Sequence, residues 1–198
     1  MSESTVGELF VDEDWYARDL GDQVFRDCTF RDIDLTESTS RGATFESCSF
    51  ENSRLNASTQ VGSAFVGCDF RRTSFFDATL EGCKLAGSLF VDCKLRPLTV
   101  RGGVWRGVTM RGADLSGQAL EGLALQEADL ADADLTGASL RGCDLTNVVL
   151  RGARLHGADL RGATLNGTDL DQASMRDTRI DLAGAIVYAE AAGARVDP

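Results

Sequence analysis

The chain is poor in proline and histidine, and these shortages narrow the kinds of protein it can be. Its 198 residues include two prolines and one histidine, His156. A single histidine has no companion for acid–base chemistry, and the sequence contains no G-x-S-x-G motif, phosphate loop or zinc-ligand spacing. Asp129, Asp132 and Asp134 are spaced like part of a calcium loop, but the glycine and the terminal Glu of such a loop are missing. We therefore expect that the protein is not an enzyme and that it has no cofactor and no metal site.

Long apolar runs and positive charge are also scarce. No stretch reaches the ~18 apolar residues of a membrane-spanning helix, and nothing resembles the apolar core of a signal peptide. We thus expect a cytoplasmic protein with no membrane partner. Lys and Arg number 20 against 31 Asp and Glu, a net charge of −11, which disfavours nucleic acid as a ligand because phosphates are held by Lys and Arg. The opposite relation is allowed, in which an acidic protein offers a DNA-like surface to a DNA-binding protein.

What the sequence has in abundance is a five-residue repeat. From 111 to 170 every fifth residue is Leu. Of the 33 positions divisible by five between 20 and 180, 31 are large and apolar, and the exceptions are Ser40 and Gln60. The residue two positions earlier is Ala, Cys, Ser, Thr, Gly or Val at 27 of the 31 sites within 28–178. A period of five fits neither a helix nor a strand, so it indicates a repeat architecture.

Each unit of five would place one large and one small side chain inside and then turn the chain. Four units make a square coil, and successive coils stack at the strand spacing of ~4.8 Å. The pattern predicts an all-β solenoid of about eight coils over residues 20–180, with residues 1–19 as an N-terminal cap and 181–198 as a C-terminal capping helix and tail. All six cysteines occupy the small inward position, so we expect buried free thiols rather than disulfides or metal ligands.

Two units, Ala113–Gly117 and Ala158–Gly162, read ADLSG and ADLRG and resemble the A(D/N)LXX unit of pentapeptide-repeat proteins. That resemblance implies a right-handed quadrilateral β-helix. A closer resemblance, through Gly87–Thr99 and the tail from Arg161 to Val196, is to the Qnr-like group of fluoroquinolone-resistance proteins, which includes mycobacterial members. The repeat itself is informative about fold and says little about function.

The closer resemblance implies a function. It implies binding to DNA gyrase where a DNA segment would lie, through the ATPase-bearing B subunit, with protection from fluoroquinolones as the consequence. A self-resistance protein that guards gyrase against a natural toxin would have the same partner. The alternative is a pentapeptide-repeat scaffold for protein interactions with a partner other than gyrase, which the repeat alone also allows.

The sequence offers one candidate for a DNA-like surface. Between Arg111 and Arg141 there is no Lys or Arg. Six acidic residues occur there, named here the acidic band: Asp114, Glu121, Glu127, Asp129, Asp132 and Asp134. We expect the acidic band to bind the partner. The alternative interpretation is that Asp suits the turns of this repeat and that the wall needs charge for solubility.

The repeat is interrupted at Pro97 and after Ile180. Pro97 lacks a backbone N–H, so we expect a kink or a cis peptide bond there, and the resemblance implies the kink. The tail predicts a helix with Asp181 as N-cap and Gly193 as C-cap. The resemblance also implies a homodimer through this end, for which we select five residues: Leu182, Ile186, Val187, Tyr188 and Ala189.

One wall of the N-terminal half carries threonines at the same position of successive coils. They are predicted to form an outward ladder: Thr39, Thr59, Thr79 and Thr99. Ser40 and Gln60, the two polar axis positions, stand beside this ladder. The pattern fits both a local polar stack with high β-propensity and a contact site.

Overall fold

The computed structural model describes residues 4–197. Residues 1–3 of the predicted cap and Pro198 lie outside the described residues. The chain divides after Val104 into two compact units. Both are built from stacked coils, in which Phe25 pairs with Phe45 in the first unit and Asp114 with Asp134 in the second. A helix follows the coils of the second unit.

Within residues 4–104 the first unit contains thirteen short strands, most of them three residues long. In chain order they are β1 Ser4–Val6, β2 Leu9–Val11, β3 Val24–Arg26, β4 Thr29–Arg31, β5 Thr39–Arg41, β6 Thr44–Glu46, β7 Ser49–Glu51, β8 Thr59–Val61, β9 Ala64–Val66, β10 Asp69–Arg71, β11 Ala78–Lys84, β12 Leu89–Val91 and β13 Leu98–Val104. Every named strand pair is parallel. Each pair joins equivalent positions of successive coils, for example Phe30 with Phe50, as the sequence predicts.

The strands of the first unit stack in about five turns. One ladder runs through β1, β3, β6, β9 and β11, and a second runs through β2, β4, β7, β10 and β12. The axial phenylalanines stack in register with these ladders. Phe45 lies 5.0 Å from Phe25 and 4.7 Å from Phe65 between ring centroids. Every axial Phe except Phe75 lies in a strand, which agrees with the preference of aromatic residues for extended backbone.

Two sides of the coil whose axial residue is Leu, those of Leu35 and Leu55, contain a hydrogen-bonded turn instead of a strand. The Ser38 N–H donates to the Leu35 carbonyl at 3.1 Å, and the Ser58 N–H donates to the Leu55 carbonyl at 3.2 Å. Each of these bonds closes a tight turn at the corner that follows the axial Leu, with the two intervening residues at the centre of the turn. Axial Phe thus goes mostly with extended sides and axial Leu mostly with turned ones. The exceptions are Leu80, which lies in β11, and Phe75, whose carbonyl accepts from the Ala78 N–H at 3.0 Å.

The second unit is built almost entirely from such tight turns. Its coils are joined by isolated parallel bridges between equivalent positions, for example Asp114 with Asp134 and Ala124 with Asp144. Gly122 shows the corner conformation, with φ of +69°, a region that favours glycine. The solenoid fold is confirmed. The named strands make about five turns, fewer than the eight coils predicted, because the coils of the second unit are joined by isolated bridges rather than by strands.

The cysteine prediction is confirmed among the described residues. All six thiols are free, five are buried and Cys93 is half-buried. Burial raises the pKa of Cys93 and of Cys143 to about 11, because the thiolate loses the hydration that stabilises its charge. These thiols are therefore poor nucleophiles near neutral pH.

Candidate functional site

The acidic band lies in the second unit, mostly on the outer wall of the coils. Asp114, Asp129 and Asp134 each stand one residue before an axial Leu, and a side chain at that position points away from the axis. Asp114 and Asp134 are bridge partners on adjacent coils. They are therefore one strand spacing, ~4.8 Å, apart in the backbone.

Two residues of the acidic band occupy corners of a coil. Glu127 and Asp132 have left-handed backbone conformations, with φ of 62° and 61°. Gly152, on the next coil, leaves space for Asp132, because a Cβ at Gly152 would overlap Asp132 Oδ1. Glu127, Asp129 and Asp132 thus span one side of the coil from corner to corner, and Asp134 belongs to the next side.

Glu121 does not join this group. It lies at the corner between the sides of Leu120 and Leu125, whereas Asp134 lies on the side opposite Leu125. The Glu121 carboxylate accepts a 2.6 Å hydrogen bond from Ser139 Oγ. The structure therefore brings five residues of the acidic band together and leaves Glu121 apart.

Three arginines pair with the acidic band. The 20-residue period already places Arg154 in the column of Asp114 and Asp134, whereas Arg106 and Arg111 were not predicted. The ion pairs are Arg106 with Glu127 at 2.6 Å, Arg111 with Asp129 at 3.5 Å and Arg154 with Asp134 at 2.8 Å. The gap in Lys and Arg between 111 and 141 exists along the chain but not in space, because stacked coils bring residues of different coils into contact. The signal was available in the sequence as arginines about one coil away from acidic residues.

The ion pair of Asp134 has an electrostatic consequence. Hydrogen bonds from Arg154 and from Thr136 hold the pKa of Asp134 well below its usual range. The same contact raises the pKa of Arg154. Exposed pairs of this kind contribute little to stability, so a partner that brings its own cations can replace the arginine at little cost.

The threonine ladder forms as predicted. Thr39, Thr59, Thr79 and Thr99 are paired in register through β5, β8, β11 and β13. Below them, buried Ser40 Oγ donates to Gln60 Oε1 and lies 2.6 Å from Ser63 Oγ. The polar axis residues are thus satisfied by one another, which supports the interpretation as a local polar stack.

Pro97 lies in the first unit, immediately before β13. The Arg96–Pro97 peptide bond is cis, one of the two possibilities that the sequence analysis left open. The Pro97 carbonyl accepts a 2.7 Å hydrogen bond from the Asp77 N–H, one coil earlier. The ladder therefore continues past the proline, and the kink stays a prediction.

The predicted C-terminal helix is confirmed as α1, Leu182–Ala191. Asp181 caps it, since its Oδ1 accepts a 2.9 Å hydrogen bond from the Gly184 N–H. Gly184 is the one buried residue of the helix, and a Cβ there would lie 3.1 Å from Leu165 Cδ1. Gly193 follows with φ of +87°, as expected for a glycine that ends a helix.

The five residues selected for a dimer interface remain accessible on α1. Leu182 is 78% exposed and Tyr188 is 40% exposed, while Ile186, Val187 and Ala189 are half-buried. An apolar helix with so little burial leaves apolar area available for a further contact. None of the helices within residues 4–197 has the length and apolar character needed to span a bilayer.

Comparison with known proteins identifies the class. The pentapeptide-repeats family matches residues 62–96, 109–147 and 138–177, together more than half of the chain. The chain belongs to the pentapeptide-repeat family, as the ADLSG and ADLRG units indicated. A 94-residue stretch is 40% identical to the pentapeptide repeat protein MfpA of Mycobacterium tuberculosis, over 48% of this chain and 40% of that protein. The match thus spans less than half the length of this relative.

Solved structures agree on the fold. A trypsin-treated form of QnrB1, a plasmid-mediated fluoroquinolone resistance protein, aligns with a TM-score of 0.65 at 21% identity, over 99% of this chain and 98% of that one. Full-length QnrB1 aligns with a TM-score of 0.51 at 19% identity, over 97% of this chain and all of that one. At this level of identity the likeness concerns the fold alone.

Proposed function

We propose that this protein imitates DNA, binds DNA gyrase and inhibits it, and thereby protects the enzyme from fluoroquinolones or from natural gyrase toxins. The observation that carries the proposal is the grouping of five carboxylates of the acidic band on neighbouring walls of a β-solenoid. The resemblance to the Qnr-like group supplies the partner and favours the ATPase region of its B subunit. Because gyrase acts on chromosomal DNA, the proposal places the protein in the cytoplasm.

The spacing of the carboxylates supports imitation of a phosphate backbone. Asp114 and Asp134 repeat at about one strand spacing, ~4.8 Å, and B-DNA carries one charge per ~3.4 Å along each strand. On this wall the row consists of these two carboxylates, because the next coil carries Arg154 at the same position. A basic groove that holds DNA by charge can therefore accept this wall, with fewer charges per unit length.

The ion pairs within the acidic band set a condition on this proposal. Arg106, Arg111 and Arg154 neutralise part of the band, so binding must exchange these arginines for basic groups of gyrase. Such exchange costs little at exposed positions.

We also propose that two copies associate through α1. Its exposed apolar residues, Leu182 and Tyr188 among them, lie on the element that follows the last coil. An isologous contact between two such helices would bury this surface in a closed dimer. The supports are the exposure of α1 and the resemblance to the Qnr-like group.

A supercoiling assay tests the proposed function. Four substitutions to Asn remove charge from the acidic band and keep side-chain volume: Asp114, Asp129, Asp132 and Asp134. We expect this variant to lose inhibition of gyrase, and the wild-type inhibition to weaken with rising salt and with competing DNA. Full inhibition by the variant at about 0.2 M salt would contradict the proposal.

A matched control separates position from total charge. Four exposed aspartates at corners of the first unit, all with positive φ, can be changed to Asn in the same way: Asp27, Asp32, Asp77 and Asp92. Asn tolerates this backbone conformation, and the net negative charge is reduced by the same four units as in the acidic-band variant. We expect this control to inhibit gyrase like the wild type. If both sets act equally, total charge rather than the acidic band is responsible.

The second candidate is a scaffold with a partner other than gyrase. The observation that favours it is the threonine ladder, a flat parallel wall through β5, β8, β11 and β13. In that case Thr59→Ala with Thr79→Ala should abolish binding to the partner, and the Asn substitutions in the acidic band should have little effect. Absence of any effect of the protein on gyrase would favour this candidate.

A further inference from the structure

The first coil leaves two strand edges open. Among the described residues, β1 and β2 each stand at the end of their ladder and pair with a strand on one side only. Such edges present backbone N–H and C=O groups that an extended segment can pair with. Val6 and Leu9, on β1 and β2, are 59% and 57% exposed, so the edges carry apolar side chains as well.

Next to these edges the axis of the first coil opens into a cavity of about 330 Å³, named here the mouth. Its walls include three aromatic rings, Phe10, Trp15 and Phe25. The mouth has two causes. The axis position that Phe25 and Phe45 fill in the next two coils is held in the first coil by the smaller Thr5. In addition, no coil within residues 4–197 stacks below the first one. A cavity of this size lies within the range of ligand pockets.

Long polar side chains line the mouth at inward positions of the repeat. The equivalent positions of later coils carry shorter side chains. Glu13, Arg18 and Gln23 all line it. Glu13 Oε2 accepts a 2.8 Å hydrogen bond from Trp15 Nε1, and the Arg18 guanidinium carbon lies 4.3 Å from the centroid of the Trp15 ring. The mouth therefore already holds one cation against the face of Trp15, and the same indole donates to a carboxylate. An aromatic face of this kind attracts cations.

The charge of the first coil selects the kind of partner. Residues 4–23 contain a single base, Arg18, and six acids: Glu8, Asp12, Glu13, Asp14, Asp19 and Asp22. A second copy of the chain at this edge would place like charges against each other, which is unfavourable. A basic segment would be attracted to the same surface.

We propose that the first coil is a docking site for an extended, basic segment of a partner protein. The segment adds as a strand to the edge of β1 or β2 that no strand within residues 4–197 occupies, and it places a Lys or Arg side chain at the mouth. Backbone hydrogen bonds supply affinity, and the mouth supplies selectivity for a cation. The site lies in the first unit and is separate from the acidic band.

A peptide assay on the full chain tests the docking site. The probe is a fluorescein-labelled nine-residue peptide of alternating lysine and valine, and binding is followed by anisotropy. Two matched peptides are compared with it: one with glutamate in place of lysine, and one with alternate backbone amides N-methylated. We expect the lysine peptide to bind at least about tenfold more tightly than either, because one loses charge attraction and the other loses strand pairing.

Substitutions at the strand edges and at Arg18 test where the lysine peptide binds. The double change Val6→Lys and Leu9→Lys should weaken the lysine peptide about tenfold, because it adds positive charge to the edges at exposed positions that the fold tolerates. Val149→Lys is the matched control, since Val149 is 44% exposed in the second unit, and it should change nothing. Arg18→Gln should strengthen binding about threefold, because the side chain of Arg18 no longer competes with the peptide lysine for the Trp15 ring. If Arg18 had only a structural role, the same substitution would lower the melting temperature and leave peptide affinity unchanged.

Three outcomes would overturn the docking site. The first is equal binding of the lysine and glutamate peptides. The second is binding that survives Val6→Lys with Leu9→Lys but disappears in the acidic-band Asn variant. The third is self-association in light scattering that the same double change abolishes, since a second copy would then occupy the edge. The assay contains no gyrase, so its result is independent of the proposed function.

Discussion

Ser88 Oγ donates a 2.7 Å hydrogen bond to the carbonyl oxygen of Phe65, which lies on the neighbouring coil. Ser88 Oγ also accepts a 3.0 Å hydrogen bond from the Cys68 N–H. The same contact between coils recurs at other small inward positions, including Thr73 with Phe50, Thr168 with Leu145 and Cys143 with Leu120. The small position of the repeat therefore has a second role besides size, because a hydroxyl or thiol there ties one coil to the next.

We predict that Ser88→Ala destabilises the first unit by about 1–3 kcal/mol, because it leaves the buried Cys68 N–H and Phe65 carbonyl without this partner. Thermal or denaturant unfolding measures the change. Ser58→Ala is the matched control. Ser58 Oγ is buried and has no partner within the described residues, since the equivalent carbonyl on the neighbouring coil, that of Leu35, accepts from the Ser38 N–H instead. We expect Ser58→Ala to be neutral or stabilising, and equal losses in both variants would contradict the role assigned to Ser88.

We predict that Leu130→Lys disrupts the second unit, with a loss above about 4 kcal/mol, because it places an unpaired charge on a dry axis. Leu130 is only 1% exposed. The neighbouring change Asp129→Lys removes the Arg111 ion pair and the acceptor for the Ala131 N–H, and should cost about 1 kcal/mol. Circular dichroism during heating compares the two. Similar melting temperatures would contradict the assignment of Leu130 to the axis.

We predict that Ile186→Asp converts a homodimer into a monomer while the coils stay folded. Ile186 is half-buried on α1, so a carboxylate there would be desolvated in a contact between two helices. Light scattering at micromolar concentration gives the mass. Glu190→Gln, at an exposed position of the same helix, is the control and should leave the mass unchanged. A wild type that has the mass of one chain would rule out the dimer.

We predict that part of the acid sensitivity of the second unit arises from Asp134. Its pKa is lowered by Arg154 in the folded state, so its contribution to stability is present above its unfolded pKa of about 3.9 and is lost as the pH falls below that value. Asp134→Asn and Arg154→Gln should each reduce the drop in melting temperature between about pH 6 and pH 3. An unchanged drop in both variants would show that the pair does not contribute.

The sequence by itself determined the solenoid. A strict period of five, with one large and one small inward residue, has one economical arrangement, because only a four-sided coil buries both kinds in every unit. For the same reason the threonine ladder, the buried thiols and the Asp181–Gly193 helix boundaries could be predicted. These features depend on one-dimensional spacing or on local capping.

Only the tertiary structure decided which charges meet and where the chain stays open. Arg106, Arg111 and Arg154 reach the acidic band because stacking joins residues on different coils, so a stretch without bases in sequence is not a surface without bases. The mouth at Trp15 and the free edges of β1 and β2 likewise arise because, in the part of the chain that the structure describes, no coil stacks below the first one. Side-chain pairing across coils and the filling of an open end depend on three-dimensional contacts that the repeat pattern does not encode.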